Sequence, residues 1–173
     1  MNESTLDKNT ECGTMIIEYY HASKYGNGVR VAEEFSRFMA AKGVTVNIHH
    51  VKKAKPKEIP PADLYVFSSP GRFGKPIGDI RGFLGKAQFN PGTRCAVVTT
   101  EMAPQPDKKT GKVSTEEGDC QKVLPIMREI LQAKGLNKVA EQRVYVLGIK
   151  GPLEEGWQKK VDAFAESIPL VAM

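Results

Sequence analysis

The stretch YYHASKYGNGVRVAEEF, residues 19–35, joins an apolar segment to an amphipathic helix through a loop with two glycines. The residues that lead into the loop, MIIEYY at 15–20, form an apolar run short enough for a buried strand. After the loop, apolar side chains recur at helical spacing at Val31, Phe35, Phe38 and Met39. Gly43 then follows as a helix stop. This pattern predicts the first strand–loop–helix unit of an α/β domain.

The same alternation of strand and helix signals continues along the chain. Four further segments have the apolar or β-branched character of strands: 44–51, 63–69, 93–100 and 143–149. Amphipathic patterns between and after them predict helices at 78–87, from a capping box at Ser114 to Gly135, and from Pro152 to Ile168. Strands that alternate with helices form a parallel sheet covered on both faces. We therefore predict a doubly wound three-layer α/β sandwich, with five parallel strands in the order 2-1-3-4-5.

Length and composition are typical of one soluble globular domain. The chain has 173 residues, of which 40% are hydrophobic and 26% charged. We predict a disordered polar tail at 1–13 and a single domain at 14–173. No apolar run reaches the roughly 20 residues of a membrane helix, and the tail lacks the apolar centre of a signal peptide. A cytoplasmic location without membrane insertion is the corresponding expectation.

Charge and cysteine content exclude some functions. The net charge is +5, and the densest basic stretch is VKKAKPK at 51–57. No aromatic residue is interleaved with these lysines, so the stretch favours a solvated loop over nucleic-acid binding. The three cysteines, at positions 12, 95 and 120, have the spacing of neither a metal site nor a disulfide framework.

The glycine loop SKYGNG, residues 23–28, does not match two common nucleotide-binding motifs. The dinucleotide fingerprint G-x-G-x-x-G would need glycine where this chain has Val31. It would also need an acidic residue at the end of the second strand, which closes with His49 and His50. A P-loop would need lysine and a hydroxyl residue after the glycines, where Val29 and Arg30 stand.

The same loop suits a single terminal phosphate. Gly26 and Gly28 allow the backbone to turn and to approach an anion closely. Ser23 offers a hydroxyl group, Lys24 adds positive charge, and Asn27 suits a turn or a helix N-cap. The helix that follows directs backbone N–H groups and a positive dipole end at the loop. The loop alone fits a plain strand-to-helix turn equally well, so it leaves both interpretations open.

A second stretch of sequence, residues 68–84, supports the interpretation of the glycine loop as a phosphate site. SKYGNG resembles the phosphate loop of flavodoxin-like proteins, usually [ST]-x-[TY]-G-N-T, and SSPGRFGKPIGDIRGFL at 68–84 is similar to that family's second flavin loop. That loop has the form G-[ST]-P-x-[YF]-[FY]-G-x-x-x-x-x-[IM]-x-x-F-[LI]. The resemblance extends in layout over residues 15–168 and is nearest to short-chain members, among flavodoxins and menaquinone-dependent protoporphyrinogen oxidases. It implies a flavodoxin-like fold and bound flavin mononucleotide (FMN).

The resemblance also implies which residues contact FMN. They are Ser23, Lys24, Tyr25, Gly26, Asn27, Gly28, Ser69, Pro70, Gly71, Arg72, Phe73, Gly74, Thr99, Thr100 and Glu101. Phe73 is the candidate for stacking on the flavin ring, and no catalytic residue or metal ligand is assigned. Gly28 stands where the family usually has threonine. The missing hydroxyl predicts FMN binding up to about a hundredfold weaker, and Gly28→Thr is expected to restore it.

By resemblance, the leading function is that of an FMN-dependent redox protein. It would carry electrons between a reduced donor and a protein or small-molecule acceptor. The alternatives are an FMN-dependent reductase or oxidase of the protoporphyrinogen oxidase type, and an interaction module that no longer binds flavin tightly. Arg72 and Lys75, where many flavodoxins are acidic, predict a less negative flavin potential and an anionic partner. The donor, the acceptor, the oligomeric state and the roles of His21 and of loop 101–114 stay open.

Overall fold

Strands and helices alternate along the chain in the computed structural model, which describes residues 14–72, 74–113 and 121–170. The elements are β1 (Ile16–His21), α1 (Asn27–Ala40), β2 (Thr45–His50), β3 (Leu64–Arg72), β4 (Lys75–Pro76), α2 (Gly78–Lys86), β5 (Arg94–Met102), α3 (Val123–Ala133), β6 (Asn137–Val146) and α4 (Trp157–Glu166). Within these ranges, no helix has the length and apolar character needed to cross a membrane. The predicted tail at 1–13 and the predicted capping box at Ser114 lie outside the described residues.

The strands form one sheet in the order β2-β1-β3-β5-β6, and every neighbouring pair in that series is parallel. The predicted order of five parallel strands in a doubly wound α/β fold is confirmed. The short strand β4 was not predicted. It pairs antiparallel with the end of β3, where Arg72 lies opposite Lys75 and Gly74 turns the chain at a φ of +75°. This hairpin extends β3 beyond the edge of the parallel sheet.

The sheet is buried on both faces, which explains the continuous apolar runs of its strands. Along β1, Tyr19 faces α1 and α4, where it packs with Phe35 at 5.5 Å between ring centroids. Tyr20 points the other way, toward α2 and α3, and packs with Phe83 at 4.9 Å. Each such side chain stabilises the fold by about 1.5–3 kcal/mol when fully buried. The two apolar clusters therefore fix the sheet whose strand ends build the site.

The last strand differs from the predicted segment at 143–149. β6 spans Asn137–Val146, so it begins and ends earlier. Its first half is polar because it lies at the edge of the sheet, where charged residues are common. Lys138 and Glu141, for example, form an ion pair of 2.8 Å there. This first half has no apolar alternation that a sequence pattern could detect.

The last helix begins at Trp157 rather than at the predicted Pro152. The intervening residues return to the sheet instead of starting a helical turn. Leu153 forms an isolated bridge to the end of β6, and the carboxylate of Glu154 accepts a hydrogen bond from the backbone N–H of Tyr145. Glu154 therefore binds the end of β6 and lies before the helix, outside its first turn.

The third helix, α3, begins at Val123. Pro125 therefore lies in its first turn, where the missing N–H of proline costs no intrahelical hydrogen bond. The helix therefore starts later than the segment from Ser114 to Gly135 predicts.

Candidate functional site

A cleft opens at the carboxyl ends of β1, β3, β5 and β6. Its volume is about 390 Å³, which lies within the usual range for small-ligand sites. Four chain segments form its walls: the β1–α1 loop, the β3–β4 hairpin, the end of β5 and the segment after β6. This position at the strand ends is where open α/β sheets bind ligands.

Most of the sequence-predicted site residues meet in this cleft. Those that line it are Ser23, Lys24, Tyr25, Asn27, Gly28, Pro70, Gly71, Arg72, Gly74 and Thr100. Gly26 belongs to the same loop without lining the cleft, and Phe73 lies outside the described residues. The lining also contains five residues absent from the predicted set, namely Ile77, Met102, Val146, Gly148 and Ile149. Val146, Gly148 and Ile149 lie at and just after the end of β6. Because the carboxyl ends of parallel strands meet at one edge of the sheet, the predicted last strand could have located them.

The β1–α1 loop is organised around the hydroxyl of Ser23. Its Oγ accepts hydrogen bonds from the backbone N–H of Gly26 at 3.1 Å and of Gly28 at 3.2 Å. Gly26, at a φ of +90°, is the N-cap of α1 and has no side chain of its own to cap the helix. Asn27 is the first helical residue and not the cap. Within the first turn, the N–H of Gly28 is thus held by Ser23, and the N-cap residue offers no side-chain acceptor to the others, next to the cleft that Asn27 and Gly28 line.

Gly28 packs closely against Ser23 in this loop. A methyl group at this position would lie 3.0 Å from Cβ of Ser23 and 3.3 Å from its Oγ. A threonine would press on the hydroxyl that holds the loop. The structure therefore argues against the prediction that Gly28→Thr improves phosphate binding.

The β3–β4 hairpin forms the second wall. Ser69 stabilises it from inside: its hydroxyl donates to the carbonyl of Pro70 at 2.8 Å and accepts the N–H of Ile77 at 3.4 Å. Gly71 packs against α3 so closely that a methyl group there would lie 2.9 Å from Cγ2 of Val123. Arg72 lines the cleft at the hairpin tip.

Thr99 and Glu101 lie behind the cleft, because they point to the opposite face of β5 from Thr100. The carboxylate of Glu101 is fully buried. It accepts hydrogen bonds from Nε of Arg143 at 2.6 Å, from the N–H of Val123 at 2.9 Å and from the hydroxyl of Thr99 at 2.6 Å. Glu101 thus links β5, β6 and the start of α3, and a contact with a ligand stays a prediction.

The charge of the cleft favours an anionic ligand. Among the described lining residues, Lys24 and Arg72 are cationic and none is acidic. The ammonium groups of Lys24 and Lys150 lie 5.5 and 6.0 Å from the ring centroid of Tyr25, at the mouth of the cleft. A concave surface lined by positively charged side chains attracts anions from solution.

His21, the last residue of β1, lies beneath the loop. Its side chain is buried, with 5% exposure, and its Nδ1 accepts the backbone N–H of Ser23 at 3.2 Å. Burial, and to a smaller degree the neighbouring His50 and His49, lower the pKa of His21 to about 4. The ring is therefore neutral at pH 7, in the form that can accept this hydrogen bond.

We predict an acid-sensitive stability that depends on His21. Its pKa is near 6.5 in an unfolded chain and about 4 in the fold. Between these values the unfolded state binds more protons, so the free energy of unfolding falls as the pH drops through this window. The loss is up to about 3 kcal/mol. Urea unfolding at pH 7 and pH 4 measures it, and His21→Asn is expected to remove most of it. Parallel pH profiles for the two proteins would contradict this assignment.

Comparison with known structures identifies the fold. Oxidised flavodoxin 2 from Bacillus cereus superimposes with a TM-score of 0.68 and 18% identity, over 89% of this chain and 97% of that one. Flavodoxin 1 from the same organism gives a TM-score of 0.65 and 14% identity, over 89% and 96%. The Flv1 flavodiiron core from Synechocystis gives 0.63 and 17%, over 89% of this chain and 35% of that core. The chain therefore has a flavodoxin-like fold. No protein-family model matches the sequence, and no curated protein matches it.

Proposed function

We propose that the protein binds FMN and carries electrons between a reduced donor and a protein or small-molecule acceptor. One observation carries the proposal: α1, whose N-cap Gly26 has no capping side chain, starts at the cleft next to the Ser23 hydroxyl. Such a helix N-terminus suits a phosphate monoester, because its N–H groups and dipole favour an anion. The flavodoxin-like fold supports this choice among phosphate-bearing ligands. A cytoplasmic location without membrane insertion stays a prediction.

The residues present fit the cofactor. The first-turn N–H groups of α1 that Ser23 does not hold would bind the phosphate, and Ser23 would donate its hydroxyl proton, since its oxygen already accepts the N–H groups of Gly26 and Gly28. Lys24 would add positive charge. Bound FMN supplies the redox chemistry, because its ring accepts and releases one or two electrons. The protein would orient that ring and shield part of it from water.

The apolar part of the cleft suits the flavin ring. Ile77, Met102 and Ile149 contribute apolar surface to it, and the β3–β4 hairpin forms its side. Gly74 at the hairpin tip lines the cleft and has no side chain, so a planar group could approach the hairpin closely there. Stacking by Phe73 stays a prediction. Thr99 and Glu101 are not part of the proposed contact set.

Retention of FMN tests the proposal. The purified protein, loaded with FMN and passed over a desalting column, should keep the visible absorption of flavin and release FMN on denaturation. Loss of all flavin would contradict the proposal and favour the interaction module. Oxidation of NADH or NADPH by the loaded protein alone would favour a reductase over an electron carrier.

We further propose that the partner is anionic at its contact surface. Tyr25 and Ile149 are 47% and 76% exposed at the mouth of the cleft, and the ammonium groups of Lys24 and Lys150 lie against Tyr25. An exposed apolar surface bordered by cations is complementary to an acidic protein.

Two model electron acceptors test the sign of the charge on the partner's contact surface. The reduced, FMN-loaded protein should reduce acidic cytochrome b5 faster than basic cytochrome c at low salt, and added salt should narrow the difference. Lys150→Gln should slow the reaction with cytochrome b5 by about threefold. Lys134→Gln is the control, because Lys134 follows α3 at the opposite end of the sheet. Faster reduction of cytochrome c would contradict the proposal.

Arg72 is expected to raise the reduction potential of bound FMN. An exposed cation near a reduced, anionic flavin stabilises it by about 0.5–1 kcal/mol. For a one-electron step this corresponds to about 20–40 mV. Arg72→Gln should therefore lower the potential by that amount in a spectroelectrochemical titration, with Lys134→Gln as control. A titration of Arg72→Gln that overlays the parent would show that this charge does not act on the flavin.

A further inference from the structure

Two histidines hold the backbone of Ser23 from both sides. The N–H of Ser23 donates to Nδ1 of His21 at 3.2 Å, and the carbonyl of Ser23 lies 3.0 Å from Nε2 of His50. A carbonyl oxygen only accepts hydrogen bonds, so Nε2 of His50 carries the proton. Nδ1 of His50 accepts the N–H of Lys52 at 3.1 Å, which fits the same neutral tautomer.

The sheet positions this pair. His21 ends β1 and His50 ends β2, and the parallel register places the two residues side by side. Their rings pack edge to face, with centroids 4.9 Å apart and an interplanar angle of 71°. Both imidazole groups thus project from the ends of paired strands and pack against each other.

Ser23 in turn organises the rest of the loop. Its hydroxyl accepts the N–H groups of Gly26 and Gly28, which are the N-cap and the second residue of α1. The orientation of the N–H groups that face the cleft therefore depends on where the backbone of Ser23 is held. A loop held in its binding shape before the ligand arrives loses less conformational freedom on binding.

We propose that His21 and His50 are positioning residues that preform the phosphate-binding loop through the backbone of Ser23. This inference rests on the proposed FMN function. The pair contacts the loop, and neither histidine lines the cleft, so its removal should weaken FMN binding while leaving riboflavin binding nearly unchanged. A role in packing alone would weaken the binding of both ligands equally or of neither.

The test compares removal variants with conservative variants. His21→Leu and His50→Met remove the hydrogen bonds and keep apolar volume. His21→Asn keeps an acceptor near Nδ1, and His50→Gln keeps a donor near Nε2. FMN and riboflavin are the probes, titrated by flavin fluorescence. We expect each removal variant to lose about tenfold in FMN affinity and less than about twofold in riboflavin affinity, with most of the loss recovered in the conservative variants.

His49→Gln is the matched control. His49 neighbours His50 on β2 but points to the other face, where it contacts Glu18 and stacks on Tyr20 at 5.0 Å. Its replacement should leave the ratio of FMN to riboflavin affinity unchanged. Equal losses for both probes in the removal variants, or no loss, would overturn the inference.

A second measurement separates this inference from the proposed function. If the parent protein fails to prefer FMN over riboflavin, the proposed function is contradicted. The positioning role is then judged from amide hydrogen exchange at Gly26 and Gly28 in the ligand-free protein. Exchange that is faster in His21→Leu than in the parent and in His49→Gln supports the positioning role, and unchanged exchange overturns it.

Discussion

Gly28→Thr is expected to weaken FMN binding by about a hundredfold, equivalent to the loss of one or two hydrogen bonds to a charged phosphate. The reason is steric. The new Cβ would lie 3.0 Å from Cβ of Ser23, and the backbone of Ser23 is fixed by two further hydrogen bonds. The loop would have to open, and the N–H groups of Gly26 and Gly28 would lose their common acceptor. Fluorescence titration with FMN measures the change, and riboflavin affinity should stay within about threefold of the parent.

Gly82→Thr provides the control for this replacement. Gly82 lies in α2, and a methyl group there would meet no atom within 4 Å. Its replacement should leave FMN affinity unchanged. If Gly28→Thr binds FMN as tightly as the parent or more tightly, the loop has room for the threonine that the family usually carries, and our account of Gly28 is wrong.

Glu101→Gln is expected to lower the free energy of unfolding by about 3–5 kcal/mol, because it leaves a largely buried guanidinium without its carboxylate. The side chain of Glu101 is fully buried and that of Arg143 is 17% exposed. The same replacement weakens the anchor of the α3 N-terminus at Val123. Urea unfolding without flavin measures the loss.

Glu141→Gln is the matched control for Glu101→Gln. Glu141 is 30% exposed, and it pairs with Arg128 at 2.9 Å and with Lys138 at 2.8 Å. Pairs at the surface contribute about 0–1 kcal/mol, so this variant should lose little stability. A Glu101→Gln protein of parental stability but reduced FMN affinity would instead make Glu101 a ligand contact, as the family resemblance implies.

The sequence predicts the strand order because its signals are strong where the sheet is buried. Apolar runs at β1, β3 and β5 reflect strands covered on both faces, and the helices between them are amphipathic. The apolar pattern does not identify strands that lie at a sheet edge or that have only a few residues. The polar first half of β6 lies at an edge, and β4 has only two residues. The start of α4 is displaced because Pro152 also suits a strand-like return to the sheet.

The sequence likewise predicts some features of the site and misses others. Loop motifs locate the cleft, because glycines and hydroxyl residues record where the backbone turns at the strand ends. They do not record which way a side chain points. Thr99 and Glu101 are adjacent in sequence to Thr100, yet only Thr100 lines the cleft. Likewise, the hydrogen bonds that Ser23 donates to His21 and accepts from His50 depend on the register between β1 and β2, which no local pattern encodes.

The central claim is that the loop from Ser23 to Gly28 holds the phosphate of FMN. The most direct test is a titration of the purified, flavin-free protein with FMN and with riboflavin, which share a ring and differ in the phosphate. Several hydrogen bonds to a charged phosphate, each worth about 1.5–3 kcal/mol, predict that FMN binds at least about a hundredfold more tightly. Equal affinity for the two flavins would contradict the account.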